Sequence, residues 1–115
     1  MKTRRRTSRR IALRAVVFQE GDWLCVQCLE YNLATQARTL RQLYKDLHRL
    51  ILGHIAVRLR HNQRPFEGLP RAPQKYWNMF ERSKIPLSTQ VGFEPVKSNG
   101  LVVLPPEVRV AQPAA

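Results

Sequence analysis

The sequence predicts a small α+β domain, in which an antiparallel sheet is covered on one face by one amphipathic helix. Two runs rich in β-branched and aromatic residues, IALRAVVF and WLCVQCLEY, are joined by a connector that contains glycine and aspartate. A segment with the spacing of an amphipathic helix follows between Leu40 and Val57. Two strands followed by one helix of this length are typical of the α+β class.

Composition and charge divide the chain into three parts. Hydrophobic residues make up 43% of the 115 residues, which is enough for one core and argues against general disorder. Residues 1–10 form a flexible basic arm, MKTRRRTSRR, which contains no acidic residue. Residues 11–60 form the patterned domain, and residues 61–115 form a proline-rich extension. With a net charge of +12, the chain is expected to bind anionic partners.

The first two runs are predicted to pair as a hairpin with a four-residue loop at 19–22. Placing Phe18 opposite Trp23 gives the sheet one apolar and one mixed face, because side chains alternate along a strand. The apolar face, which is expected to meet the core, carries Ile11, Leu13, Ala15, Val17, Leu24, Val26, Cys28 and Glu30. The mixed face carries Ala12, Arg14, Val16, Phe18, Trp23, Cys25, Gln27 and Leu29.

The two cysteines, Cys25 and Cys28, have the C-x-x-C spacing of many metal and redox sites. Their numbers differ by an odd number, so in a strand their side chains point to opposite faces and cannot bind one ion. A redox C-x-x-C lies at the start of a helix, whereas this pair lies within a strand. We therefore predict two ordinary thiols, with no metal site and no cofactor.

A short third strand is predicted in NLATQAR, and a helix is predicted to begin after Thr39. Thr39 and Gln42 match the capping box, in which the hydroxyl accepts from the Gln42 N–H and the Gln42 side chain reaches back. Apolar side chains from Leu40 onward fall within an arc of about 140° around this helix. Arg58 would fall in the middle of that arc, so the helix is expected to end or bend after Val57.

Two polar features of this helix are candidate sites. Arg41, Lys45 and Arg49 form a basic stripe beside the apolar arc, which is either a solvated face or a surface that binds an anion. His54 lies within the apolar arc, and no serine, cysteine or carboxylate lies at a helical spacing that would make it a base. His54 is therefore predicted to be a locally hydrogen-bonded histidine at the edge of the core.

Prolines divide the chain after residue 61 into short pieces. The stretch PQKYWNMFERSK predicts a short helix near 73–84, with Tyr76, Trp77 and Phe80 on one face. This helix is too short to be stable alone, and we expect it to dock on the mixed sheet face or in the groove beside the main helix. The stretch GLVVL predicts an edge strand near 101–104 that the following two prolines terminate.

From VVFQEGDWLCVQCLEY to ATQARTLRQLYKDLHRLI, the order of strand, turn, strand, short strand and Thr-capped helix resembles the HicB-like antitoxin domain. Residues 35–43, TQARTLRQL, look similar to the T-Q-G-x-T-x-E-E-A stretch that leads into the helix of this family. The resemblance covers residues 11–57. It implies a partial ferredoxin-type sheet with one helix, and a non-catalytic, oligomerising scaffold that binds a small basic RNase toxin.

Two functions are predicted. The first is a HicB-like interaction protein, antitoxin-like or a solitary adaptor, that forms a homo-oligomer through its sheet and binds a protein partner. Its candidate interface residues are Val16, Phe18, Trp23, Leu29, Tyr76, Trp77 and Phe80. The second is a nucleic-acid-binding protein, whose candidate phosphate contacts are Arg4, Arg5, Arg6, Arg9, Arg10, Arg41, Lys45 and Arg49. An enzyme is not predicted, because the sequence contains no nucleophile–base pair, carboxylate dyad, phosphate loop or metal cluster, and so no catalytic residue is named.

The chain is expected to lie in the cytoplasm. No stretch approaches the roughly 18 to 20 apolar residues that span a membrane. A secretory signal is not predicted either, because Arg14 interrupts the apolar run IALRAVVF and no small-residue cleavage site follows. The arginine- and serine-rich start also fits an organelle transit peptide, and this alternative stays open.

Overall fold

A computed structural model describes residues 9–89, 93–98 and 100–111 of the chain. Arg4, Arg5 and Arg6 of the predicted arm lie outside this range. In chain order, the elements are β1 (Arg9–Ile11), β2 (Arg14–Glu20), β3 (Trp23–Cys28), β4 (Ala34–Ala37), α1 (Leu40–Arg60), α2 (Gln74–Arg82), β5 (Pro86–Leu87), β6 (Val96–Ser98), β7 (Leu101–Val103) and β8 (Glu107–Val110). The α+β class is confirmed, and α1 follows the strands of the first half as predicted. The first predicted strand is divided into β1 and β2, so four strands instead of three precede the helix.

The strands form two sheets, one with the order β4-β3-β2-β8-β5 and one with the order β1-β7-β6. Two extended stretches connect the sheets: β1 continues into β2, β7 continues into β8, and the two stretches run side by side in parallel. The Leu104 N–H donates to the Ile11 carbonyl and the Glu107 N–H to the Leu13 carbonyl, which continues the pairing through the bend between the sheets. The sheets are therefore mixed, whereas the sequence analysis predicts an antiparallel one.

The β2–β3 hairpin has a tighter turn than the predicted four-residue loop. Glu20 lies opposite Trp23, so only Gly21 and Asp22 form the turn. Gly21 has a φ of 57°, a backbone conformation that glycine adopts without strain. The register is shifted by two residues from the predicted one. Because side chains alternate with a period of two, this shift leaves every side chain on its predicted face.

The helix α1 begins as predicted and ends later. The Thr39 hydroxyl accepts a hydrogen bond from the Gln42 N–H at 3.2 Å, while the Gln42 side chain donates to Asp46 instead of reaching back. The helix is predicted to end or bend after Val57, and the first alternative is wrong, because the helix continues for three more residues to Arg60. Arg58 is half-buried and its guanidinium reaches Gln63 at 3.5 Å, so its long side chain carries the charge out of the apolar arc.

The main core lies between α1 and the apolar face of the sheet. The helix contributes side chains such as Leu43, Leu47 and Ile51, none of which is exposed to solvent. They pack on strand residues such as Ala15 and Val26. Neither helix in the described ranges is both long and apolar enough to span a bilayer.

The second helix, α2, closes the mixed face of the same sheet. Its Trp77 and Phe80 form a separate cluster, the α2 cluster, with Val16, Leu29 and Ala72. The chain reaches this face by passing the end of β4, where the Asn32 N–H donates to the Pro70 carbonyl. The sheet is therefore covered by a helix on each side, and the short helix docks on the mixed face, one of the two predicted places.

The predicted division at residue 60 does not separate two structural units. Strand β8 pairs with β2, so Val108 lies beside Ala15 in the main core. The segment predicted as an edge strand, now β7, lies between β1 and β6. The predicted flexible arm also ends earlier than residue 10, since Arg9 and Arg10 belong to β1 and pair with β7. The C-terminal half thus completes the sheets that the N-terminal half begins.

Candidate binding surfaces

Most of the predicted partner interface is buried inside the protein. Val16 and Leu29 are fully buried, Phe80 is 2% exposed and Trp77 is 8% exposed, all within the α2 cluster. These four side chains already pack against one another, so in this fold they are not available to a partner. The prediction is corrected for them: their apolar surface is covered by α2 of the same chain.

One hydrogen bond and two stacked arginines hold Trp77 in this position. Its indole N–H donates to the Ala72 carbonyl at 3.2 Å. The guanidinium groups of Arg14 and Arg71 lie 4.8 Å and 4.2 Å from the centre of its ring. Arg14 also pairs with Glu30, with 2.6 Å between Nε and Oε2. Stacked cations of this kind, of which Arg14 is half-buried and Arg71 exposed, add to the packing that fixes α2 on the sheet.

The other three predicted interface residues keep some exposure. Trp23 is 38% exposed at the end of the hairpin, and the Arg38 guanidinium lies 4.3 Å from the centre of its ring. Phe18 and Tyr76 are half-buried and stack with 5.7 Å between ring centres. They belong to the wall of an open groove of about 550 Å³ between β2 and α2.

The two cysteines lie on opposite faces of β3, as predicted. Cys28 belongs to the main core, and burial, together with the negative charge of Glu30, raises the pKa of its thiol to about 12. Cys25 lies on the mixed face, where its Sγ is 3.9 Å from the Gln36 Oε1. Burial, and next the charge of Glu20, raises the pKa of the Cys25 thiol as well. Both groups are therefore protonated and weakly nucleophilic at neutral pH.

Strand β4 forms an edge of the five-stranded sheet. The Cys28 N–H donates to the Leu33 carbonyl, so Leu33, and by alternation Thr35 and Ala37, direct their backbone groups toward β3. Ala34 and Gln36 then direct their N–H and C=O groups away from the sheet. Both residues are exposed, and a shallow trough of about 320 Å³ beside them reaches Cys25 and Tyr76. This edge is an open row of backbone donors and acceptors.

His54 fits the predicted role of a locally hydrogen-bonded residue. Its Nε2 accepts a hydrogen bond of 2.9 Å from the Phe66 N–H. Phe66 itself is fully buried, has a φ of 71°, and packs against the His54 ring with 4.9 Å between ring centres. Burial, and next the charge of Arg58, lowers the pKa of His54. The histidine thus holds the 61–72 segment against α1 while it stays neutral.

This contact predicts a loss of stability in mild acid. Because the pKa of His54 is lower in the folded than in the unfolded chain, the unfolded chain binds the extra proton. The contribution of neutral His54 to the free energy of unfolding is therefore complete above the ordinary histidine pKa of about 6.5, and it decreases as the pH falls below that value. Because His54 is only half-buried, we expect the free energy of unfolding to fall by about 0.5 to 1 kcal/mol from this cause between about pH 7 and about pH 5. Urea unfolding at the two pH values measures the change.

A matched pair of glutamine variants checks this prediction. His54→Gln keeps an acceptor for the Phe66 N–H but does not titrate, so its stability should lack this part of the pH dependence. His61→Gln, which changes an exposed histidine about two turns further on, just after α1 ends, should retain it. Equal pH dependence in the two variants would contradict the assigned contact.

Of the predicted basic residues that the structure describes, three lie on α1 and two lie on β1. Arg41, Lys45 and Arg49 are exposed on the outer face of α1. At the C-terminal end of the helix, the Arg9 N–H donates to Gly100 and the Arg9 guanidinium donates to the Pro65 carbonyl at 2.9 Å. Arg9 is therefore a structural contact, while Arg10 beside it is exposed.

Among residues 9–89, 93–98 and 100–111, no three His, Cys, Asp or Glu side chains group closely enough to hold a metal ion. Comparisons with protein-family models, with curated proteins and with solved structures found no match to this chain. The HicB-like resemblance therefore stays a prediction from the sequence.

Proposed function

We propose that this chain is a non-catalytic, HicB-like interaction protein that self-associates by strand addition at β4 and binds protein partners through the same edge. The open backbone groups of Ala34 and Gln36 are the observation that carries this proposal. A strand laid beside them would gain backbone hydrogen bonds without displacing any described part of the chain.

The composition of β4 favours pairing. Proteins usually protect an edge strand with lysine, proline or a bulge, because an exposed edge recruits other strands. The four residues of β4, Ala-Thr-Gln-Ala, contain no charge and no proline. At one end the edge is limited by the Pro70 segment, which already accepts from Asn32. The length available for a partner strand is therefore about the four residues of β4.

The edge replaces the sheet face as the surface for self-association. The face predicted to bind another subunit packs instead on α2, with Trp77 and Phe80 in the contact. Ala34 and Gln36 are exposed, and no strand of the described ranges pairs with this side of β4.

The chemistry of the reactive side chains supports a role without catalysis. Both thiols have raised pKa values, and the Nε2 of His54 is occupied by the Phe66 N–H. The net charge of +12 also bears on the partner, because like charge disfavours the small basic toxin that the resemblance implies. A neutral or acidic protein partner fits this chain better.

A charge placed on the edge should weaken self-association. Ala34→Lys puts a lysine on β4, and Ala12→Lys adds the same charge at an exposed position between β1 and β2. Sedimentation velocity at increasing protein concentration is expected to show a dimer for the unmodified chain and for Ala12→Lys. The dissociation constant of Ala34→Lys should be at least about tenfold higher.

The dependence on salt gives a second criterion. Two chains of charge +12 repel each other, so added salt should strengthen the dimer by screening. A chain that stays monomeric at every concentration and at high salt would overturn the proposed self-association. Equal weakening by the two lysine variants would show that the contact lies elsewhere than β4.

A further inference from the structure

The outer face of α1 is a line of cations. At 100° per residue, Arg41, Lys45, Arg49 and Arg60 fall within an arc of about 100°, on the side opposite the main core. All four are exposed. Between Arg49 and Arg60 the same face presents only uncharged residues, including Leu52 and Ala56. From Arg41 to Arg60 the line is about 28 Å long.

Acidic side chains neutralise very little of this line. Asp46 is the only acidic residue of α1, and its carboxylate is 4.0 Å from the Arg49 guanidinium, with Arg49 largely exposed. A surface pair of this length contributes little. In the described ranges, Arg41, Lys45 and Arg60 form no ion pair with any carboxylate. These charges are therefore available to an external anion.

The N-terminal segment joins the fold at the far end of the same line. Arg9 lies beside the C-terminal end of α1, where Arg9, Leu59, Arg64 and Pro65 surround one small cavity of about 200 Å³. Residues 1–8 contain four more Lys and Arg and no acidic residue. Arg60 and Arg64 at this end of α1 bring the cations of the helix close to Arg9, the first described residue after this basic segment.

We propose that the outer face of α1 binds the phosphodiester backbone of a nucleic acid. This inference goes beyond the proposed function, because it uses a different surface and a different class of partner from the β4 edge. Cations spaced along a line match a linear polyanion, whose phosphates recur along its whole length. Contacts of this type position the ligand without reading its bases, so the binding is independent of sequence.

The shape of the surface favours nucleic acid over an acidic protein. None of the three cavities described above is lined by Arg41, Lys45, Arg49 or Arg60, whereas a specific protein contact needs a buried apolar centre with a complementary shape. Leu52 and Leu59 are 43% and 37% exposed on this face, and cations lie at both ends of the uncharged stretch that contains them. A flexible polyanion needs only charge along its path, and release of its counterions then supplies the binding free energy.

Two double variants with the same change of charge test the proposal. Arg41→Ala/Lys45→Ala removes one arginine and one lysine from the α1 face. Arg82→Ala/Lys84→Ala removes the same pair from exposed positions at the end of α2, on the other side of the sheet. The probe is a fluorescein-labelled single-stranded DNA oligonucleotide of mixed sequence, and its anisotropy is followed at several salt concentrations with the full-length chain.

We expect the logarithm of the association constant to fall linearly with the logarithm of the salt concentration. The α1 variant should weaken binding at low salt by about tenfold or more and reduce the slope by roughly 1 to 2, since each lost phosphate contact contributes about 0.7. The α2 variant should change affinity less than about threefold. A second oligonucleotide of unrelated sequence should bind equally well.

Three results would overturn the proposal. One is absence of binding by the folded chain at low salt, and another is an equal loss in the two double variants, which would indicate only net charge. The third is competition by polyglutamate as effective as competition by unlabelled oligonucleotide, which would point to an acidic protein as the ligand. Circular dichroism of both double variants establishes that a loss of binding is not a loss of fold.

Discussion

Replacing Trp77 with alanine is expected to lower the free energy of unfolding by about 3 to 5 kcal/mol. Trp77 is 8% exposed at the centre of the α2 cluster. The variant loses the packing of the indole, its hydrogen bond to Ala72, and the stacking of Arg14 and Arg71. Urea unfolding followed by circular dichroism measures the change.

The other tryptophan of the chain is the matched control. Trp23 is 38% exposed and contacts the exposed Arg38, so Trp23→Ala should cost less than about 1 kcal/mol. If the two variants were equally stable, α2 would not be packed on the sheet. The mixed face would then be free for a partner.

Ending the chain after Leu104 is expected to abolish cooperative folding. This truncation removes β8, and with it the strand that pairs with both β2 and β5. It also removes the Arg109 guanidinium, which donates to the carbonyls of Phe80 and Ser83 at the end of α2. The combined loss exceeds about 5 kcal/mol, which is comparable with the whole stability of a small domain.

A chain that ends after Ala111 is the control for this truncation, because it keeps every described strand. Circular dichroism and proton NMR should show a folded control and an unfolded or molten shorter chain. A well-dispersed spectrum from the shorter chain would mean that the N-terminal half folds by itself. The division at residue 60 would then describe the molecule better than the single fold does.

The first half of the fold could be predicted from the sequence because its signals are local. Alternation of side chains assigned the faces of the hairpin, and the assignment survived a register error of two residues. Thr39 and the apolar spacing after it located the start of α1. The end of α1 was missed because Arg58 counts as polar in a pattern, although its long side chain reaches solvent from a half-buried position.

The second half could not be predicted in the same way, because its strands depend on distant partners. Strand β8 contains only four residues and follows two prolines, so its own sequence hardly distinguishes it from a loop. It becomes a strand by pairing in parallel with β2, more than 85 residues earlier in the chain. Pairing over this separation leaves no signature in a short window of sequence.

Of the candidate surfaces, the charged one could be predicted from the sequence, whereas those that depend on the tertiary fold could not. Charge is visible in a sequence, so Arg41, Lys45 and Arg49 were identified and are exposed on one helix face. The predicted apolar interface was wrong for Trp77 and Phe80, because aromatic residues look alike whether a partner or the chain itself covers them. The β4 edge was not identified as a site, since openness depends on which strands pair, and Ala-Thr-Gln-Ala carries no distinctive residue.

Native-state hydrogen exchange measured by NMR tests most directly whether both halves of the chain form one fold. The amides of Leu104 and Glu107 donate to Ile11 and Leu13, at the junction between the two halves. We predict that their opening free energies match those of amides in β3, such as Val26, because all of them open only when the whole domain unfolds. Rapid exchange at Leu104 and Glu107 beside a protected β3 would contradict the account.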